Sequence, residues 1–145
     1  YLEKDEEFDL SDLLNRLIEK YNNKNISKDI SPKICINGRK NLIQRCINNL
    51  IDNAIKYGEK VKVELSKNNN SLFIKIEDNG PGIPEKEYSN VFKPFYKIDK
   101  SRADSKSSVG LGLSIASDII RSHGGNIQLE KSSLNGLGVK IFLPI

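Results

Sequence analysis

An α+β two-layer sandwich, one mixed and mostly antiparallel sheet with helices covering one face, is the architecture this sequence predicts. Three observations carry it. Two amphipathic helical patterns precede a pair of alternating runs, "KVKVELS" and "SLFIKIE", and a third helical pattern precedes two closing strands. Helices and strands are therefore segregated along the chain, as layers packed on one face require. A length of 145 residues with 37% apolar and 29% charged content suits one domain over residues 1–145 with a sizeable core.

Each element has its own justification. Ser11 or Asp9 can cap a helix running to about Tyr21, where Leu10, Leu13, Leu14, Leu17 and Ile18 recur at helical spacing. "ISPKICI" reads as a strand. A long helix follows from about Arg39 to Tyr57, closed by Gly58, which suits the left-handed position after a helix. The two alternating runs flank the polar turn "KNNN", as a hairpin requires. After a short helical or irregular piece and a basic loop come a helix from about Gly112 to Ser122, the turn "HGGN", and the strands "IQLEKS" and "VKIFLPI".

Charge and composition narrow the function. The net charge of +4 comes from 23 Lys and Arg interspersed with 19 acids, so generic nucleic-acid binding is not expected. The local exception is "FKPFYKIDKSRADSKS", a basic run able to grip an anion. Cys35 and Cys46, far from CxxC spacing, and a single His supply neither a zinc site nor a disulfide framework. A reducing compartment, and hence a cytoplasmic location, is the expectation. No apolar run approaches the ~18 residues of a spanning helix, and the first residues lack signal-peptide patterning, so this segment is expected to be soluble.

The long helix contains an asparagine out of place. At about 100° per residue, Leu42, Ile43, Cys46, Ile47, Leu50, Ile51, Ala54 and Ile55 fill one arc, while Asn41, Gln44, Arg45, Asn48 and Asp52 face water. Asn53 projects between Leu42 and Cys46 inside the apolar arc, with Asn49 at its edge and Lys56 alongside. A buried amide without partners costs about 1–3 kcal/mol, so Asn53 is either satisfied by nearby backbone or kept for a ligand. Its carbonyl oxygen suits magnesium, which prefers oxygen and is commonly held by few protein groups plus phosphates.

"IEDNGPGIPEKEY" poses a second choice. Asp-Asn-Gly is ordinarily a hairpin turn. Here Pro81 and Pro84 cannot donate backbone hydrogen bonds, and no alternating strand returns. Asp78 instead offers an acceptor-only carboxylate to an exocyclic amine, with Gly80 and Gly82 clearing side chains from a flat ring. Downstream, Gly110 and Gly112 precede a helix, where free N–H groups and the helix dipole favour phosphate; Lys97 and Arg102 add charge nearby.

Taken in order, "NNLIDNAIKYG", "EDNGPGI", "VFKPFY" and "VGLGLSIA" closely resemble the N, G1, F and G2 boxes of the catalytic ATP-binding domain of bacterial sensor histidine kinases, of the osmosensor-like class. The resemblance spans "FDLSDLL" to "VKIFLPI". It implies the Bergerat fold shared with gyrase, chaperone and mismatch-repair ATPases, with a left-handed crossover and a mobile ATP lid over about residues 92–111. It implies ATP and Mg²⁺ as ligands. Asn53 matches the Mg²⁺ ligand, assisted by Asn49; Lys56 and Tyr57 match phosphate and nucleotide contacts; Asp78 matches the adenine-amine acceptor. Gly80, Gly82 and Ile83 belong to the first glycine box, and Gly110, Leu111, Gly112 and Leu113 to the second. Phe92, Phe95 and Tyr96 match the aromatic part of the lid, Lys97 and Arg102 its phosphate-facing cations.

The same resemblance implies a function. The γ-phosphoryl group would pass to a histidine on a separate dimerisation domain, absent from this chain, and on to a response regulator. Full-length relatives are commonly membrane-anchored homodimers, with this domain cytoplasmic and monomeric when isolated. Hydrolytic relatives carry Glu where this chain has Asn49, so efficient ATP hydrolysis is not expected. His123, after the last helix, reads as a helix-end residue rather than an acceptor. The chain departs from the family at Ser108-Val109, at Lys97 in place of Arg, and at Leu137-Gly138 in place of hydroxyl residues. A non-catalytic ATP-gated interaction module, or a weak ATPase of the same superfamily, is the alternative.

Overall fold

A computed structural model describes residues 3–96 and 113–145. Its first elements are β1 (Glu6–Asp9), α1 (Leu10–Tyr21), β2 (Ile26–Ile30) and β3 (Cys35–Gly38). Asp9, not Ser11, caps α1, accepting the Asp12 N–H at 2.9 Å. Ser11 turns inward, donating to the Ser31 carbonyl at 2.6 Å and accepting from the Ile34 N–H at 3.0 Å. That hydroxyl bridges the chain between β2 and β3.

The expected single strand over "ISPKICI" is in fact the end of β2, a reversal, and the start of β3. Pro32 has no N–H to offer a ladder, and Lys33 adopts φ 57°, turning the chain. β3 then pairs antiparallel with β1, leaving β2 to join the main sheet.

That sheet has the order β2-β4-β5-β7-β6, with β4 (Val61–Lys67), β5 (Ser71–Asp78), β6 (Asn126–Lys131) and β7 (Leu137–Pro144). β2 lies parallel to β4; the other three pairings are antiparallel. Val61, Val63, Leu65, Leu72, Ile74, Ile76, Val139, Ile141 and Leu143 are buried on one face. Most alternate positions are half-buried, including Phe73 directly opposite Phe142, with the Lys140 ammonium 4.8 and 5.1 Å from the two ring centres.

Against the buried face pack α1, α2 (Lys40–Tyr57) and α3 (Leu113–Ser122). The wheel reading of α2 holds for Ile43, Cys46, Ile47, Leu50, Ile51 and Ala54, all buried, each large aliphatic contributing about 1.5–3 kcal/mol. Burial pushes the Cys46 thiol up to about 12, leaving it a core residue under the Ala116 carbonyl. Arg39 gives α2 no side-chain cap. The Glu3 carboxylate does so from a distance, accepting from the Asn41 and Leu42 N–H groups at 2.8 and 3.2 Å.

Arg39 is committed elsewhere. Its backbone N–H donates to His123 Nε2 at 3.0 Å, and its guanidinium donates to the Ser122 carbonyl and hydroxyl, both at 3.0 Å. Because Nε2 accepts, Nδ1 carries the proton and donates to the Ile119 carbonyl at 2.7 Å. The start of α2 is thereby fastened to the end of α3.

Candidate functional site

The β5 strand ends as the alternation dictates, with Asp78 on the helix-facing side and only 5% exposed. One carboxylate oxygen, Oδ1, accepts from the Gly80 N–H at 2.8 Å and the Leu137 N–H at 3.2 Å. Among the described residues nothing donates to Oδ2. Burial raises the Asp78 pKa above its ordinary value, opposed by the Gly80 and Leu137 hydrogen bonds. The carboxylate is thus fixed by one oxygen and open at the other, which suits an amine donor.

The end of α2 abuts this strand end. Asn79 Oδ1 accepts from both the Glu59 and Lys60 N–H groups at 2.8 Å, stitching the chain after α2 to the end of β5. Gly58 has φ −123°, an extended conformation, not the left-handed one expected. Space explains it: a Cβ at Gly58 would stand 2.9 Å from Asp78 Cβ. The missing side chain of Gly80 likewise makes room for the Tyr57 carbonyl. Gly82 takes φ +68°, a conformation only glycine adopts at little cost.

Asn53 lies one turn before Tyr57, and Asn49 one turn before that, about 6 Å of helix rise apiece. Both are half-buried, so Asn53 sits at the rim of the apolar arc rather than inside it. Neither side chain makes a hydrogen bond among the described residues. The exposed Lys56 holds its ammonium 5.3 Å from the Tyr57 ring centre, and the Tyr57 hydroxyl is buried without a hydrogen-bond partner among the described residues. Asp78 is thus half-satisfied, and α2, whose Gly58 end abuts it, carries a buried hydroxyl, two amides and an ammonium that find no hydrogen-bond partner among the described residues. These donors and acceptors fit a purine nucleotide with its metal. A shallow depression of about 370 Å³ on the outer side of α2 is lined by Asn41, Gln44, Arg45, Asn48 and Asn49, sharing only Asn49 with this constellation.

Other expected site residues are distributed unevenly. Ile83, Phe92 and Tyr96 pack against the core, and the Tyr96 hydroxyl donates to Glu87. Phe95 instead is 87% exposed at φ 62°. Leu113, at the first position of α3, is buried. Lys97, Arg102, Ser108, Val109, Gly110, Leu111 and Gly112 lie outside the described residues. His123 has both ring nitrogens engaged.

Sequence reasoning missed the residues that hold Asp78 in place: Asn79, Gly136 and Glu77. Gly136 donates its N–H to the Asp78 carbonyl at 3.1 Å, and a Cβ there would stand 2.6 Å from the Gly80 nitrogen. Asn79 carried a signal, being a turn-former between an acid and a glycine. Gly136 carried none, because the crowding comes from residues far away in the chain.

The family model described as "Histidine kinase-, DNA gyrase B-, and HSP90-like ATPase" matches residues 38–145. Sensor histidine kinase GtrS of Pseudomonas aeruginosa is 36% identical over 107 residues, covering 74% of this chain and 22% of GtrS. The catalytic domain of histidine kinase ThkA superposes with a TM-score of 0.80 at 28% identity, over 97% of both chains. The histidine kinase domain of the E. coli osmosensor EnvZ follows with a TM-score of 0.74 at 30% identity, over 97% of this chain and 88% of that one. The chain spans under a quarter of the length of the first curated relatives it matches. With this fold, this strand-end acid and this amide-bearing helix, the chain belongs to the histidine kinase-, DNA gyrase B- and HSP90-like ATPases, an ATP-binding family.

Proposed function

We propose that this chain binds Mg-ATP and donates the γ-phosphoryl group to a histidine on a separate dimerisation domain of a two-component sensor histidine kinase. The supporting observation is Asp78, whose Oδ1 is occupied by backbone N–H groups while Oδ2 accepts nothing among the described residues. In this reading Oδ2 accepts the exocyclic amine of adenine, and Gly80, Gly82 and Ile83 border the base. Tyr57 offers its orphaned hydroxyl to the nucleotide. Asn53, assisted by Asn49, would hold Mg²⁺ by amide oxygens, and Lys56 would face the phosphates. Phe95, Tyr96, Lys97, Arg102, Gly110, Leu111, Gly112 and Leu113 are assigned to the nucleotide in this reading by their match to the lid and second glycine box.

Magnesium, held by Asn53 and Asn49, would supply charge neutralisation for phosphoryl transfer. The residues of this chain position the donor and do little covalent chemistry. Asn49, an amide, cannot serve as a general base for water, which keeps hydrolysis slow. No helix among the described residues is long and apolar enough to cross a membrane. The full-length protein is read as a membrane-anchored homodimer with this portion in the cytoplasm, passing phosphate to a response regulator.

Calorimetric titration of ATP with and without Mg²⁺, followed by labelling with γ-labelled ATP, tests the proposal. The expected result is Mg²⁺-enhanced ATP binding and an unlabelled chain until its dimerisation domain is added. Stoichiometric self-labelling at His123 would overturn the assignment of the acceptor, since both nitrogens of that ring are engaged.

A further inference from the structure

The adenine reading leaves a second buried carboxylate unused. Glu77 is 1% exposed and, one residue before Asp78, points to the opposite face of the sheet. A buried carboxylate is costly unless hydrogen-bonded, and among the described residues Glu77 is satisfied by a single one. Its Oε2 accepts the Ser133 N–H at 2.6 Å and its Oε1 accepts the Ser133 hydroxyl at 3.1 Å.

Ser133 lies in the turn between β6 and β7. That turn is internally braced: the Ser132 N–H donates to the Gly136 carbonyl at 2.9 Å, and the Ser132 hydroxyl accepts the Leu134 N–H at 2.9 Å. Its far limb supplies the Gly136 N–H to the Asp78 carbonyl and the Leu137 N–H to Asp78 Oδ1. The end of β5 thus grips one turn twice, through Glu77 on one face and Asp78 on the other.

We propose that Glu77 is a positioning residue for nucleotide selection: by fixing the β6–β7 turn it keeps the Leu137 amide on Asp78 Oδ1 and leaves Oδ2 aimed at the base. The inference rests on the reading of Asp78 as the adenine acceptor. Without Glu77 the turn loosens, the Leu137 N–H withdraws, and the carboxylate is free to rotate. Affinity for ATP and preference over GTP then fall together. A purely structural role would lower thermal stability and leave the preference untouched.

The test compares Glu77→Ala, Glu77→Gln and Ser133→Ala with the unaltered chain, titrating Mg-ATP and Mg-GTP and recording thermal unfolding and amide exchange at Leu137. Glu77→Ala is expected to bind ATP about tenfold more weakly, with a similar fall in the ATP-to-GTP ratio and faster Leu137 exchange. Glu77→Gln should restore most of it, because its amide oxygen still accepts the Ser133 N–H. Should Glu77→Ala not fold, Ser133→Ala removes only the hydroxyl bond of an exposed residue and should lower the ratio about threefold. An unchanged ratio in the folded variant, or in Ser133→Ala if that is the one that folds, overturns the positioning role alone. Failure of the unaltered chain to bind ATP, or full ATP binding by Asp78→Asn, overturns the parent reading and this inference with it.

Discussion

Asp78 on β5 and Asn53 on α2 represent two styles of construction. Asp78 is buried, bonded through Oδ1 to two backbone N–H groups, and hemmed by positions at Gly58 and Gly136 where a methyl group would not fit. Asn53, Asn49 and Lys56 on α2 are half-buried or exposed and make no side-chain hydrogen bond among the described residues. Orientation at the strand end is built in before any ligand arrives, whereas on α2 it is left to be fixed by what binds. On the proposed reading, the difference teaches that base selection and metal capture should respond differently to mutation.

The largest expected effect is Asp78→Asn. Replacing an acceptor by an amide that also presents donors should weaken ATP binding by about 1.5–3 kcal/mol and erase discrimination against GTP, which presents a carbonyl oxygen in place of the amine. Titration of both nucleotides checks it, and unchanged ATP affinity would dissolve the contrast between the two regions. Asn53→Ala should come next, losing about 1 kcal/mol of affinity, all of it in the Mg²⁺-dependent part. Titration with and without the metal sharpens the comparison: a loss equal in both conditions would place Asn53 on the base side.

The smallest effect is the response to pH. The Asp78 pKa is raised by burial, so in the folded chain the carboxyl takes up its proton at a higher pH than an unfolded one. Above that pKa the buried charge costs folding stability; as pH falls through it the cost is relieved. The same protonation removes the acceptor, so ATP affinity should fall on acidification while this group's penalty on stability shrinks. Parallel titration and thermal melts as pH is lowered towards the carboxylate range report both signs, and a joint rise or fall would contradict the burial argument.

Much of this was legible in the chain. The core face of α2, the β4–β5 hairpin and the β6–β7 pair follow from periods of 3.6 and 2, which local burial enforces. Asp78 and Asn53 stood out because each broke its local pattern. β1 and β2 were not legible, since "EEFD" and "ISKDI" are short edge segments with no regular alternation, and their pairing is set by distant partners. The conformation of Gly58 and the crowding at Gly136 were hidden for a related reason. Both are consequences of α2, β5 and the β6–β7 turn converging, which no window of sequence contains.

The one parallel pairing in the main sheet also sets a timetable. β4–β5 and β6–β7 join neighbours through short turns, but β2 meets β4 only after the chain has travelled through β3 and all of α2. Closing that loop, and the still longer one between β5 and β7, is entropically expensive, so the β4–β5 and β6–β7 hairpins should form before the sheet is joined across them during refolding. The hairpin carrying Asp78 would therefore be assembled before the rim of the sheet is complete.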